Sequence, residues 1–322
     1  MKRTLLASSF LLALVVACSS SSSGGGGGGG GGDGGGGGGG DDGGGNVTEG
    51  GVVDNPDGGG GGTDSGPGKP DLWNVTNEKI DINGTNRTYV LSVPKNYDAG
   101  KSYPLVFVFH GDGGNGGSLR GYFFFEAASG TDAIVIYPDG IDATWDLYDT
   151  DPSNHDFPFV SSLIDKLANS YNVNKGRVFA AGWSNGAFFA NELACNRPGL
   201  IAAIASNSGG APGTDQMNWP LYYQPSGYFK CVNNQQPVAA FVVQGAVDGT
   251  VTKDSGEFDA TYWASVNGCG TTTTPTSLAP CTQYDSCPAG LGVTYCEIGN
   301  MGHAVWNNTA VGAWAFFQAQ KP

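Results

Sequence analysis

From residue 71 onward, short apolar runs alternate with longer runs that repeat apolar residues at helical spacing. Continuous apolar runs of about four to eight residues, rich in β-branched and aromatic side chains, are typical of strands buried on both faces. Such strands are predicted at residues 88–93, 105–109, 133–137, 177–181, 201–206, 238–244 and 293–298. Helices are predicted at residues 159–171, 187–195, 258–266 and 310–320. The alternation predicts an α/β fold with a mostly parallel central sheet and helices on both faces.

Residues 1–18 have the pattern of an export signal. Lys2 and Arg3 precede an apolar run at residues 5–16, which is too short to span a bilayer as a stable helix. The run ends in the letters VVAC, which resemble a bacterial lipobox, so Cys18 is predicted to carry a lipid. The alternative is an ordinary cleaved signal that contains a cysteine. Either way, the chain is expected to be exported, as a cell-surface lipoprotein or an extracellular protein.

The next segment, residues 19–70, is a Ser/Gly-rich linker with too little apolar surface to build a core. One folded domain is therefore predicted at residues 71–322. The chain has a net charge of −14, and its Lys and Arg residues are scattered without forming a basic stripe. Nucleic acid is therefore not an expected partner, and contact with a membrane is expected only through Cys18.

Cysteine and histidine usage argues against a metal site. The chain has seven Cys and three His, and no two cysteines stand in a Cys-x-x-Cys pair. Neither a metal nor any other cofactor is predicted. If Cys18 is lipidated, an even number of cysteines remains, which in an exported chain predicts three disulfides. These cysteines are Cys195, Cys231, Cys269, Cys281, Cys287 and Cys296.

The strongest chemical signal is the run Gly182-Trp183-Ser184-Asn185-Gly186, between a predicted strand and a predicted helix. A nucleophile elbow requires this strand–turn–helix context, with glycines that let strand and helix approach closely. The helix N-terminus behind the serine favours negative charge. Ser184 is therefore the predicted nucleophile of an α/β-hydrolase fold.

The base and the acid follow from chain order. A serine needs a base to remove its proton, and in this fold the order is serine, acid, histidine. His303 is the one histidine after Ser184 and is the predicted base. Asp248 follows the predicted strand at residues 238–244 and is the predicted acid. Its competitors are Asp215, in an irregular stretch, and Asp254 and Asp259, which are expected to cap a helix or to be solvated.

Two backbone N–H groups should stabilise an oxyanion. One is expected from Asn185 and the other from the loop His110-Gly111-Asp112-Gly113-Gly114, with Asp112 or Gly113 as the donor. His110 is then interpreted as a structural residue of that loop. His155 and Asp156 precede a predicted helix and are interpreted as capping and loop residues.

Several of these runs resemble one family. They are Tyr103-Pro104 with Phe109-His110-Gly111, Ile136-Tyr137-Pro138-Asp139-Gly140 with Trp145, and the block from Arg177 to Ala187 around Ser184. Asn267-Gly268-Cys269 and Gly302-His303 with Trp306 continue the match, which spans about residues 78–320. The runs are similar to those of the polyhydroxybutyrate-depolymerase and feruloyl-esterase group, the first carbohydrate-esterase family. Its motif-matched serine, aspartate and histidine are catalytic.

The resemblance implies an ester hydrolase that acts on a polymeric or oligomeric ester, with feruloyl esters of plant cell-wall polysaccharides preferred. The alternatives are a depolymerase of polyhydroxyalkanoate, an acetylxylan esterase, and a surface-binding module without activity. A peptidase is less favoured. The family pattern also implies a Cys269–Cys287 bridge, which leaves Cys195–Cys231 and Cys281–Cys296 as the remaining pairs.

Aromatic residues decide the preference for an aromatic acyl group. Trp145 and Trp306 lie on predicted loops next to the catalytic segments and are the candidate substrate-binding residues. Trp219, Tyr222 and Tyr223 lie in an aromatic excursion at residues 211–237 that interrupts the strand–helix alternation, and packing there is the favoured interpretation. Aromatic pairs add about 0.5–1.5 kcal/mol beyond area burial, so the preference is modest.

Overall fold

The computed structural model describes residues 71–148, 153–213 and 236–320. The strands of these residues form one sheet and are β1 Trp73–Ile82, β2 Thr85–Pro94, β3 Tyr103–Phe109, β4 Ile134–Pro138, β5 Val173–Trp183, β6 Ala203–Asn207, β7 Ala239–Gly245, β8 Thr273–Pro275, β9 Thr282–Tyr284 and β10 Val293–Ile298. The α-helices are α1 Gly116–Tyr122, α2 Glu126–Ser129, α3 Asp156–Ser170, α4 Asn185–Asn196, α5 Lys253–Asn267 and α6 Thr309–Ala319. No helix of the described residues is long and apolar enough to cross a membrane.

The sheet has a parallel centre and antiparallel edges. Its strand order is β1-β2-β4-β3-β5-β6-β7-β10-β9-β8, and neighbours from β4 to β10 run parallel. The strands β3, β4, β6 and β7 are buried along their whole length, as expected for strands covered on both faces. All seven predicted strands are present. The predicted α/β-hydrolase fold is confirmed.

Helices cover both faces of the sheet, and a separate apolar core fills each side. One core packs α3, α4 and α5 against the sheet, with Phe157, Phe189 and Trp263 among its large side chains. The other packs α1 and α6, and there Phe179 of β5 stacks on Phe317 at 4.5 Å between ring centroids. The parallel centre therefore has no solvated face, and the carboxyl ends of its strands form one edge.

The predicted helices are all present, and the structure adds elements that the sequence pattern did not predict. Among them, β1 pairs with β2 over its full length although most of its residues are exposed and polar. Strand β1 lies at the edge of the sheet, where pairing with β2 and partial burial of one face are enough to hold it. A strand of this kind does not need the continuous apolar run on which the prediction relied. Helix α5 begins at Lys253, earlier than the predicted 258. The prediction began too late because the first turn of the helix carries few apolar side chains.

Two of the three predicted disulfides lie in the described residues. Cys269 is bonded to Cys287, and Cys281 is bonded to Cys296, as the predicted pairing requires. Cys195 is also disulfide-bonded. Its predicted partner, Cys231, lies outside the described residues, so that pairing stays a prediction. Disulfides persist in oxidising compartments, which supports the expectation of export.

Asp259 departs from its prediction. It was expected to cap a helix or to be solvated, but it lies within α5 and is completely buried. Its Oδ2 accepts a hydrogen bond from Asn191 of α4, and Ser206 of β6 is also a hydrogen-bond partner. Burial raises the pKa of Asp259 to about 7, although the bonds from Ser206, Asn191 and Trp263 oppose that rise. The exposed Asp254 on the same helix matches its prediction.

The raised pKa of Asp259 predicts a stability change with pH. Between the ordinary pKa of 3.8 and about 7, the folded state holds a proton that the unfolded state has lost, so this carboxyl makes folding less favourable as pH rises. We expect Asp259→Asn to lower the free energy of unfolding less at pH 8 than at pH 5, measured by urea denaturation. The exposed Asp254→Asn is the control. An identical loss at both pH values contradicts the assignment.

Candidate active site

Ser184 lies on a strained turn between β5 and α4. Its φ is 56° and its ψ is −125°, a conformation that non-glycine residues rarely adopt and that costs about 1–3 kcal/mol. The neighbouring glycines allow the close contacts of this turn. A Cβ on Gly182 would lie 2.2 Å from the carbonyl oxygen of Gly186, and a Cβ on Gly186 would lie 2.2 Å from the carbonyl oxygen of Phe109. The turn therefore holds the serine against the end of β3.

Three side chains from the carboxyl ends of β5, β7 and β10 meet beside this turn. Nε2 of His303 lies 2.9 Å from Oγ of Ser184, and Nδ1 of His303 lies 2.9 Å from Oδ2 of Asp248. An ionised carboxylate only accepts hydrogen bonds, so Nδ1 carries the proton and Nε2 accepts from the serine hydroxyl. The three residues predicted to act together are in hydrogen-bonding contact. Their arrangement allows His303 to take the proton of Ser184.

Asp248 is held as an acceptor. Besides His303, the backbone N–H groups of Thr250 and Val251 donate to its Oδ1 at 2.9 Å each. Burial raises the pKa of Asp248, but the hydrogen bonds and the nearby imidazole outweigh burial and lower it overall. The carboxylate is therefore ionised in the range where the imidazole must be neutral to act as a base. The competing Asp215 lies outside the described residues.

The structure distinguishes the three candidate oxyanion donors, Asn185, Asp112 and Gly113. Asn185 begins α4, where backbone N–H groups lack helical partners and favour negative charge. Asp112 lines the cavity beside Ser184 together with Asn185. Gly113 does not line this cavity, and its N–H already donates to the carbonyl oxygen of Ala143 at 2.8 Å. The prediction of Gly113 as a donor is therefore wrong, and Asp112 is the remaining candidate on this loop.

His110 has the structural role that was predicted. Its ring is completely buried, and Nε2 accepts from the N–H of Gly140 at 2.9 Å. Nδ1 therefore carries the proton and donates to the carbonyl oxygen of Gly111 at 2.8 Å. Burial lowers the pKa of His110 despite that bond and the nearby carboxylates, which keeps the ring neutral. The ring fixes the loop that carries Asp112.

Residues 140–146, here called the bridging segment, connect two parts of the site. These are the loop that follows β3 (the candidate oxyanion loop) and the turn that carries Ser184 (the nucleophile turn). The side-chain oxygen of Asn185 accepts from the N–H of Trp145 at 2.8 Å and from Thr144 Oγ1 at 3.4 Å. Ala143 at φ 60° provides the carbonyl that holds Gly113. Trp145 Nε1 donates to the carbonyl oxygen of His110 at 2.9 Å. The bridging segment therefore connects the loop that follows β3 to the start of α4, the two places where the candidate oxyanion donors lie.

A cavity of about 540 Å³ opens beside Ser184, which is within the range of small-molecule sites. Its lining combines apolar and aromatic side chains with three carboxylates and one imidazole. The lining residues are Asp112, Ile141, Asp142, Thr144, Trp145, Asp146, Leu147, Tyr148, His155, Ser184, Asn185 and Phe188. The described residues contain no group of three or more potential metal ligands.

The structure brings one of the two predicted substrate-binding tryptophans to this cavity. Trp145 lines it, but only 2% of Trp145 is exposed, and its ring stacks on Phe189 at 4.8 Å in the core. Trp306 is not among the lining residues and packs against the core on the other face of the sheet. The aromatic residues Trp219, Tyr222 and Tyr223 lie outside the described residues, as does Cys18.

Sequence reasoning missed His155 as a residue of the site. His155 precedes α3, but its side chain makes no capping hydrogen bond and instead lines the cavity. His155 is therefore the predicted loop residue before α3, but its side chain does not cap the helix, and the side chain of Asn154 accepts from the N–H groups of Asp156 and Phe157 instead. Asp156, by contrast, is a buried structural residue, and Arg87 pairs with it at 2.6 Å. The chain positions before α3 carry no signal for this difference, because tertiary packing decides which side chain faces the cavity.

Comparison with known proteins identifies relatives. No protein-family model matches the chain. Over 207 residues it is 30% identical to feruloyl esterase C of Emericella nidulans, an alignment that covers 62% of this chain and 67% of that relative. Over 218 residues it is 28% identical to feruloyl esterase D of Neurospora crassa, covering 64% of this chain and 68% of that relative.

Solved structures share the fold. An acetyl xylan esterase from Aspergillus awamori superposes with a TM-score of 0.59 at 18% sequence identity. The superposition covers 75% of this chain and 99% of that one. At this identity the likeness concerns the fold alone.

The bridging segment predicts an effect of the Asn185 side chain that is separate from the Asn185 backbone N–H. We expect Asn185→Ala to lower kcat/KM by roughly 10-fold to 100-fold, because it releases Trp145 and Thr144 and shifts the oxyanion loop. Thr144→Val removes only the longer bond and should cost less. Steady-state kinetics, with melting temperatures to verify folding, measure both. Equal kinetics for Asn185→Ala and the unsubstituted chain contradict the bridging role.

Proposed function

Because this chain belongs to the feruloyl esterase family, whose members are carboxylic-ester hydrolases, we propose that it cleaves hydroxycinnamoyl esters of plant cell-wall polysaccharides through an acyl-enzyme on Ser184. The observation that carries the mechanism is the pair of 2.9 Å contacts that join Ser184, His303 and Asp248 beside the cavity. The family supports ester hydrolysis, and the cavity supports the choice of acyl group.

Acylation uses the hydrogen bonds already present. Oγ of Ser184 attacks the carbonyl carbon of the ester while Nε2 of His303 takes the hydroxyl proton. The carbonyl oxygen becomes negative and accepts hydrogen bonds from the N–H groups of Asn185 and Asp112. When the intermediate collapses, the bond to the alcohol oxygen breaks, and His303 gives its proton to that oxygen. The alcohol leaves, and the acyl group stays on Ser184.

Deacylation repeats the sequence with water. His303 takes a proton from water as the water oxygen attacks the acyl carbonyl carbon, and it returns the proton to Oγ of Ser184 as that bond breaks. Asp248 keeps the imidazole in the required tautomer and stabilises the imidazolium in both steps. The product is a carboxylate next to Asp112, Asp142 and Asp146, whose charges favour its release.

The cavity lining supports an aromatic acyl group. Tyr148 offers an exposed ring beside Ser184, Leu147 and Ile141 add apolar contact, and the largely buried Trp145 and Phe188 complete the lining. Tyr148 is 72% exposed, so an aromatic ligand has a surface to cover. An aromatic contact is expected to add about 0.5–1.5 kcal/mol, which gives a modest preference over a short aliphatic acyl group.

Export and anchoring belong to the same proposal. The disulfides of the described residues are consistent with an oxidising compartment. The lipid on Cys18 remains a prediction from the residues that precede it. Metabolic labelling with a radioactive fatty acid tests it, and an unlabelled chain in an organism with the lipoprotein pathway rules the anchor out.

A substrate panel and one variant test the proposal together. We expect kcat/KM on methyl ferulate to exceed that on a hydroxybutyrate oligomer and on acetylated xylan, because only the ferulate covers the aromatic lining. Ser184→Ala should lower kcat by about 10⁴-fold to 10⁶-fold with little change in melting temperature. Mass spectrometry of quenched turnover should find the acyl group on Ser184.

Other outcomes separate the alternatives. A preference for the oligomer or for acetylated xylan changes the substrate and leaves the catalytic residues in place. Residual activity of Ser184→Ala within tenfold of the unsubstituted chain removes Ser184 as nucleophile. No turnover on any ester, by a chain that is folded, makes it a binding module.

A further inference from the structure

The cavity beside Ser184 lies on the acyl side of the reaction centre. Ser184, Asn185 and Asp112 line it, so the carbonyl carbon and the two oxyanion donors face it. His303 is not among its lining residues, although His303 must reach the oxygen of the departing alcohol. We therefore expect the alcohol to depart past His303 and the acyl chain to extend into the cavity.

A second, smaller cavity of about 250 Å³ adjoins the first. It shares Ile141 and His155 with the first cavity and contains none of the three catalytic side chains. These two residues therefore lie where the two cavities meet. The lining of the second cavity is mixed, with the polar residues Asn83, Thr85 and Asn154 beside Ile82 and Pro158. An acyl group long enough to reach this junction meets an imidazole and polar side chains.

The ring nitrogens of His155 can form hydrogen bonds with a ligand. Its side chain is 48% exposed, and its ring nitrogens lie 3.6 Å from carboxylate oxygens of Asp146 and Asp156, longer than hydrogen bonds. Asp156 is already paired with Arg87 at 2.6 Å and accepts from the N–H of Asp146 at 2.9 Å. The backbone of His155 is held separately, because Arg87 donates to its carbonyl oxygen.

We propose that His155 determines specificity by hydrogen-bonding the phenolic hydroxyl of an aromatic acyl group whose ring packs on the walls of the acyl cavity. This inference rests on the proposed function and adds the residue that distinguishes a hydroxycinnamoyl ester from a cinnamoyl ester. The hydroxyl lies at the far end of the ring from the ester, and His155 lines the junction of the cavity beside Ser184 with the second cavity. The second cavity gives room for further substituents on that ring.

Two substrates that differ by one hydroxyl test this role. With the full chain, kcat/KM for methyl 4-hydroxycinnamate should exceed that for methyl cinnamate by roughly threefold to tenfold, the size expected for one hydrogen bond. His155→Phe keeps an aromatic ring but no nitrogen, and it should bring the ratio of the two values close to one. His155→Gln keeps a donor and an acceptor and should restore part of the ratio.

Tyr148, an exposed polar residue of the same cavity, provides the matched control. Tyr148→Phe removes the phenolic hydroxyl, keeps the ring and should leave the ratio as in the unsubstituted chain. Melting temperatures show that each variant is folded. Because the readout is a ratio between two substrates, a general loss of activity in a variant does not affect it.

The outcomes distinguish this inference from the function on which it rests. Turnover of both cinnamoyl esters at equal kcat/KM, or an unchanged ratio in His155→Phe, overturns the role of His155 and leaves the feruloyl esterase proposal standing. If the ratio falls to about one in Tyr148→Phe, Tyr148 binds the phenolic hydroxyl of the substrate, and this result also overturns the role of His155. No turnover of either ester, with turnover of other esters, overturns the proposed function and this inference together.

Discussion

The close contact between the nucleophile turn and the end of β3 is the constraint on which the rest of the site depends. Because a Cβ on Gly186 would lie 2.2 Å from the carbonyl oxygen of Phe109, only glycine lets α4 begin there. This contact places the N-terminus of α4 next to the loop that follows β3. Ser184 is held at a positive φ between them, so the nucleophile and both candidate oxyanion donors are brought together by one backbone packing.

The bridging segment extends that packing from the catalytic residues to the substrate. Asn185 carries a candidate oxyanion donor in its backbone N–H, and its side-chain oxygen accepts from the segment. The same segment holds Gly113 through Ala143 and carries Asp142 and Asp146 into the cavity wall. Hydrogen bonds of the segment therefore connect the turn that carries Ser184, the loop that follows β3 and the cavity wall. A substitution in the segment is expected to affect binding and catalysis together, because the cavity wall and the loop that follows β3 cannot shift independently.

Local signals predicted the parts of the structure that local signals determine. Buried parallel strands are continuous apolar runs, and Ser184, Asp248 and His303 follow from one motif and the order of residues along the chain. The exposed strand β1 has no such run. The burial of Asp259, the bond from Gly113 to Ala143 and the position of His155 depend on segments far apart in the sequence. No spacing or composition in the sequence records those contacts.

Ser184 is proposed to attack an acyl group whose carbonyl oxygen lies between the backbone N–H groups of Asn185 and Asp112. A crystal structure of the chain with a phosphonate ester covalently bound to Ser184 tests this arrangement, since the phosphoryl oxygen occupies the position of the oxyanion. We expect this oxygen to accept hydrogen bonds from the N–H groups of both residues at about 2.7–3.1 Å. We also expect the organic substituent of the phosphonate to occupy the cavity lined by Trp145 and Phe188. A phosphoryl oxygen that points away from Asp112, or a phosphonate bound to another residue, contradicts it.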